Sequence, residues 1–127
     1  VEGDPLRYAR REAVRLAIRS APSAHEAFRI AQDNERFRYP DWDNVKVSLM
    51  RDILRAKVAQ HPYVHKKLLE TGTRRLVENS WRDDFWGWGQ QQDGQNRLGA
   101  LWMEVRAEIQ AARYDGSLGA CVPRVVP

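Results

Sequence analysis

Prolines at positions 5, 22, 40 and 62 constrain this chain more than any other feature, because each stands where a helix starts or stops. Asp4 before Pro5 reads as an N-cap followed by proline at the first helical position, which predicts a helix from there to about Ser20. Pro22 breaks it. Ser23 and Glu26 have the spacing of a capping box and open a second helix through roughly Asp33. Pro40 disfavours helix at Tyr39, and Asp41 stands where it can cap a long helix from Trp42 to about Gln60. Pro62 starts a shorter helix that Gly72 ends in the C′ position, with Thr73 placed to cap one further turn over residues 74–78.

Periodicity then assigns faces. In the long helix Trp42, Val45, Leu49, Ile53 and Ala56 recur every three to four residues, so that stripe is expected to be buried. A last helix over residues 97–113 carries Leu98, Leu101, Val105 and Ile109 on one face. The tail, 114–127, has Gly and Pro at intervals and no period, so it is expected to be extended, docked or loose. With no strand pattern, repeat or low-complexity segment, the expected fold is mainly α. It is a single compact helical domain over residues 1–113, with a Gly- and Trp-rich loop before the last helix. At 127 residues with 43% hydrophobic positions there is enough apolar material for one core. The single Cys121 excludes an intramolecular disulfide framework and points to a reducing compartment, the cytoplasm or an organelle interior. No apolar run reaches the roughly 18–20 residues that span a bilayer, and the charged N-terminus does not resemble a signal peptide, so no membrane partner is expected. The chain starts at Val1 rather than Met, which leaves room for sequence upstream.

Twenty-one Lys and Arg against seventeen Asp and Glu give +4, a balance that favours phosphorylated or nucleic-acid partners. The basic residues are interleaved with acids, however, which equally describes solvated helix faces. The chemistry is concentrated in DDFWGWGQQQDGQNRLG, residues 83–99. Asp83 and Asp84 precede Phe85 and Trp86, so a carboxylate adjoins apolar surface that could tune its pKa, or else caps a turn. Trp86 and Trp88 are either a core plug or a stacking platform for a planar base. Gly87, Gly89 and Gly94 remove side chains where backbone comes close to something, and Asn96 offers donor and acceptor before a helix N-terminus suited to a phosphate or ribose hydroxyl. Neither the G-x-G-x-x-G nor the Walker spacing is present. Lys46 and Lys57 share a stripe of the long helix, as snorkelling side chains or ligand contacts; about 16 Å apart, they cannot both grip one small phosphate. His61 and His65 have i, i+4 spacing without a third ligand, so no metal and no cofactor are expected. No G-x-S-x-G occurs and Cys121 lacks an identifiable base, which argues against Ser or Cys nucleophilic catalysis.

Taken in order, DWDNVKVSLMRDILRAKVAQHP, LLETG, LVENSWRDDFWGWG and GQNRLGALWMEVR resemble the YbiA-like, or NADAR, family of N-glycosidases over about residues 14–110. The family pattern falls on Trp42, Lys46, Met50, Ala56, Lys57 and Gln60, then on Leu69, Thr71, Gly72, Leu76 and Glu78. It continues through Asp83, Phe85, Trp86 and Gly87 to Asn96, Leu98, Gly99, Met103 and Arg106. Trp102 stands where the family has Leu. The resemblance implies hydrolysis of an N-glycosidic bond linking a base or amine to a phosphorylated ribose or ADP-ribose, on a small molecule or an ADP-ribosylated nucleic acid. It implies Asp83 as the candidate catalytic carboxylate with Trp86 beside it. Trp42 and Trp86 would flank the ligand, Lys46 or Lys57 would meet phosphate, and Phe85 and Gly87 would complete the binding wall. Asn96 would order the loop or touch ribose.

Family members also begin with a segment containing an S-N-F-like motif and an E-H-Y-F-Q-A-like helix whose Glu is implicated in catalysis. This chain starts just after the place where that helix would end. Trp88 and the QQQ run, residues 90–92, replace smaller or more Gly-rich sequence. Three readings follow: an N-glycosidase completed by an upstream segment or a partner chain, an inactive structural or binding subunit of a larger assembly such as a ribonucleoprotein, and a nucleotide-binding module without chemistry. An active site would be open and lined by Asp83, Trp86 and Trp42, whereas a scaffold would have those groups covered.

Overall fold

The computed structural model describes residues 3–114, so most of the tail expected over 114–127, Cys121 included, lies outside the described residues. The architecture is mainly α, as expected. The chain divides between Asn44 and Val45 into two units.

The first unit holds α1 (Pro5–Arg19), α2 (Ala24–Asp33) and a single 3-10 turn, Glu35–Phe37. Local chemistry sets the bounds. The Asp4 carboxylate accepts from the Leu6 amide at 3.0 Å with Pro5 in the first turn, and Ser20 closes the helix. Ser23 accepts from the Glu26 amide at 3.1 Å, while the Glu26 carboxylate pairs with Arg29 at 2.8 Å; it is this pair that occupies the acid of the expected capping box. No residue of α1 or α2 is buried. The carbonyls at the end of the 3-10 turn, which no helical amide satisfies, instead take guanidinium donors: Arg7 to Arg36 O at 3.0 Å and Arg11 to Phe37 O at 2.9 Å. Arg11 also lies over Tyr39 at 4.4 Å and Arg36 over Phe37 at 4.7 Å. Cation–aromatic and guanidinium–carbonyl contacts, rather than an apolar core, tie α1 to this segment.

The second unit takes in α3 (Trp42–Gln60) from Val45 onward, α4 (Pro62–Glu70), the loop, and α5 (Arg97–Tyr114). Its core is Leu54 and Val58 of α3, Leu68 of α4, and Leu101, Val105 and Ile109 of α5. The α5 face is the one periodicity predicted. The α3 face is not: Val45, Leu49 and Ile53 are 40%, 44% and 50% exposed, and Ala56 is exposed with them. Val47 and Met50 pack against the core in their place. Two apolar stripes run along α3, and the one carrying Leu54 and Val58 is buried with Leu101, Val105 and Ile109 of α5. Ion pairs flank that contact: Arg51 meets Glu104 of α5 at 2.6 Å and Arg55 meets Glu108 at 2.6 Å.

Pro62 opens α4, and Gly72, at φ +62°, takes the left-handed position after its C-cap Thr71. The further helical turn expected over 74–78 does not form. Its backbone groups are bonded elsewhere: Arg74 O accepts from the buried Arg106 at 2.8 Å, Leu76 O accepts from the Asn96 side chain at 3.0 Å, and the Glu78 amide donates to Asn96 Oδ1 at 2.9 Å. Arg106 also donates to Thr71 Oγ1 at 2.8 Å, and Gln110 to Gly72 O at 3.0 Å, so α5 side chains satisfy the end of α4. Among the described residues no helix is long and apolar enough to cross a membrane.

Candidate functional site

The loop before α5 is built from the Asp83 carboxylate outward. Asp83 Oδ1 accepts from the amides of Phe85 at 2.9 Å and Trp86 at 2.8 Å, a side-chain-closed turn that presents two consecutive aromatic rings. The returning strand of the loop then pairs with that turn. Gln95 N donates to Asp84 O at 2.7 Å, Asn96 N to Gly87 O at 2.9 Å, Arg97 N to Phe85 O at 3.0 Å and Leu98 N to Trp86 O at 3.0 Å. Amides 97 and 98 open α5, so the helix N-terminus read from sequence as a phosphate site is in fact capped by the loop's own carbonyls.

Two positions depend on what is missing or unusual in the backbone. A Cβ at Gly87 would stand 2.8 Å from Glu78 O and 2.9 Å from Asp83 O, so the turn closes only over glycine. Asn96 is 5% exposed at φ +48°, a left-handed conformation that Asn tolerates better than most residues. Both ends of its amide are committed to the backbone at Leu76 and Glu78. Of the two roles that the sequence left open for Asn96, ordering the loop is the one its contacts serve.

The side chains form an aromatic corner with cations at its edge. Phe85 and Trp86 meet edge to face, centroids 4.9 Å apart at 85°, and Trp86 packs against the core. The Lys46 ammonium lies 4.0 Å from the centre of the Phe85 ring. On the same ring the Arg97 guanidinium stands at 5.8 Å. Lys46, Asp83, Phe85, Trp86 and Gly87 are thus brought together, whereas Lys57 is exposed three turns further along α3. Trp42, the first residue of α3, belongs to the first unit; it is half-buried, with the Arg38 guanidinium 5.9 Å from its ring. Trp88 is half-buried and donates through Nε1 to Asn79 Oδ1 at 2.8 Å. Arg97 is the residue that sequence reasoning missed. The available signal was its place beside Asn96 at the start of a helix, next to a loop already suspected of holding phosphate.

The chain that builds this aromatic corner matches a family model described as the NADAR domain over residues 7–110. The chain belongs to the NADAR family. It is 39% identical over 98 residues to the N-glycosidase YbiA of Escherichia coli, a stretch covering 77% of this chain and 61% of that protein. An N-glycosidase of Nostoc punctiforme is 40% identical over 93 residues, 73% of this chain and 60% of the relative. A riboflavin biosynthesis protein of Vibrio vulnificus is 39% identical over 90 residues, 71% of this chain and 24% of the relative. The matched stretch therefore spans about three fifths of the two N-glycosidases. No solved structure matches the chain. Within the NADAR pattern, Thr71, Gly72, Gly87, Asn96, Gly99 and Arg106 are spent on backbone or close packing, and Lys46, Phe85 and Trp86 are gathered beside the turn that Asp83 closes.

Proposed function

We propose that this chain is part of an N-glycosidase that hydrolyses the bond between a base or amine and a phosphorylated ribose or ADP-ribose, residues 1–113 working as one NADAR-type domain. The observation that carries this reading is the Lys46 ammonium held 4.0 Å from the Phe85 ring, beside the turn closed by Asp83. Cation, aromatic face and carboxylate in one wall are the three groups that departure of a base from a phosphorylated sugar calls for. In the reaction the C1′–N bond breaks, water supplies hydroxyl to C1′, and a proton goes to the departing nitrogen. The sugar passes through an oxocarbenium-like state, which a nearby carboxylate stabilises. Phe85 and Trp86 hold the base by stacking, Lys46 meets phosphate, and Asp83 faces the developing positive charge through the oxygen that the turn does not use. The relatives' names support the bond class; the finer part of the proposal is the substrate, a free riboflavin-pathway intermediate or an ADP-ribosylated nucleic acid.

A second reading, an inactive subunit built on the same fold, is favoured by one observation: Asp83 Oδ1 already serves two backbone amides. Asp83→Asn separates the two, since the amide oxygen can still accept from Phe85 N and Trp86 N while the charge is removed. Base release from a phosphoribosylamino-pyrimidine and from ADP-ribosylated guanosine is the assay. Release by the native protein that is lost in a folded Asp83→Asn variant supports the glycosidase. No release from either substrate, with natural partners present, sinks it in favour of the scaffold.

A further inference from the structure

We propose that Arg97 is a phosphate-reading residue, acting with Lys46 beside the Phe85 ring so that the site selects a phosphorylated ribose over the bare sugar. This rests on the sugar-phosphate reading above and goes beyond it by naming the residue that sets the preference. Arg97 occupies a variable place in the family pattern, between Asn96 and Leu98, so nothing in the motif assigns it a role.

Three observations carry the inference. First, the backbone fixes where the side chain starts: Arg97 N donates to Phe85 O at 3.0 Å, so Arg97 is hydrogen-bonded to the residue whose ring its guanidinium approaches. Second, the guanidinium is oriented by Nε donating to Gln95 Oε1 at 3.0 Å, and among the described residues no carboxylate forms an ion pair with it and its terminal nitrogens have no partner. Arg51 and Arg55, by contrast, spend theirs on Glu104 and Glu108. Third, a second cation, Lys46, lies against the same ring at 4.0 Å. A phosphate monoester is the anion that suits this set. Its oxygens accept both parallel donors of a guanidinium fork and still leave one for an ammonium, and a sugar ring can lie over the intervening apolar edge. A neutral ribose offers nothing that needs either charge.

The test is binding of ribose 5-phosphate and of ribose, by calorimetry or ligand-observed NMR, to the protein and three variants. The native protein should prefer ribose 5-phosphate, and added salt should erode the preference. Arg97→Gln should lose about tenfold in affinity for ribose 5-phosphate and leave ribose binding as it was. Arg97→Lys, which keeps the charge but not the fork, should fall between the native protein and Arg97→Gln, about threefold to fivefold weaker than native. Gln95→Ala, which frees the guanidinium without touching it, should weaken ribose 5-phosphate binding by about threefold. Arg97 is exposed, so Arg97→Gln should melt with the native protein; if it does not, the Gln95→Ala and Arg97→Lys results decide. Equal loss for both sugars, no loss on Arg97→Gln, or no native preference for phosphate would each overturn the proposal. Base release without phosphate preference would keep the glycosidase and remove this inference, whereas phosphate preference without release would do the reverse.

Discussion

Replacing Asn96 tests whether the loop is held from its centre, and the size of the effect can be worked out from its contacts. Asn96→Ala removes the acceptor for Glu78 N and the donor to Leu76 O, at 2.9 and 3.0 Å. Leu76 is half-buried and Glu78 exposed, so water reaches one orphaned group more readily than the other, and the pair is worth about 1–3 kcal/mol rather than the full cost of two buried unsatisfied groups. Alanine at φ +48° adds about 1 kcal/mol of backbone strain that asparagine bears more easily. The sum, about 2–4 kcal/mol, corresponds to a fall in melting temperature of roughly 10–20 °C for a domain of this size. Asn96→Gly separates the two parts, because glycine is at ease at positive φ but makes neither hydrogen bond, so it should recover about 1 kcal/mol relative to alanine. Urea denaturation of the three proteins, followed by tryptophan fluorescence, measures both differences. An alanine variant within about 0.5 kcal/mol of the native protein, or a glycine variant no better than alanine, would refute the reasoning.

Two further outcomes follow from the same geometry. Gly99→Ala lies inside α5, where helix propensity alone predicts a gain of about 1 kcal/mol; a Cβ there would run into Leu76 O and the Asn96 amide, so thermal unfolding should show a loss of about 2–4 kcal/mol instead. The Glu108 carboxyl is held below its ordinary value by the hydrogen bond from Arg55, with burial opposing. A depressed carboxylate stabilises the fold above its unfolded value and loses that contribution as pH falls through the folded one. Glu108→Gln should therefore cost under about 1 kcal/mol near neutrality, and the difference from the native protein should vanish in acid below the usual glutamate range, as pH-resolved denaturation would read.

The helix ends were legible because the signals that set them are local. Pro5, Ser23, Pro62 and Gly72 act within one turn of themselves, and α1, α2 and α4 begin and end within a residue or two of where such signals place them. The buried face of α3 was not legible, since Val45–Leu49–Ile53 and Val47–Met50–Leu54–Val58 are both apolar stripes. What chooses between them is packing against the apolar face of α5, flanked by ion pairs whose partners stand 53 residues apart in sequence. The failed turn over 74–78 has the same origin: its backbone bonds to Asn96 and Arg106, whose positions on the folded chain no local pattern encodes. At the site, the aromatic pair and its carboxylate could be read from adjacency. The pairing of Lys46 with Phe85, and the arrival of Arg97 at the same ring, required the loop's own hydrogen bonds.

Those hydrogen bonds also decide how the site can move. Phe85 and Trp86 give their carbonyls to the amides that begin α5, so the segment around residues 83–99, irregular in outline, is mechanically an extension of that helix. Swinging it outward would fray the helix end that supports Leu98 and Leu101. On the proposed reading, ligand entry at this wall is a matter of side chains such as Lys46 and Arg97 swinging aside, on the fast timescale of rotamer changes, and not of a lid that opens and shuts. Amide exchange should report it: the protons of residues 94–98 should exchange as slowly as those of the first turns of α5, while the exposed tip at residues 90–93 exchanges freely.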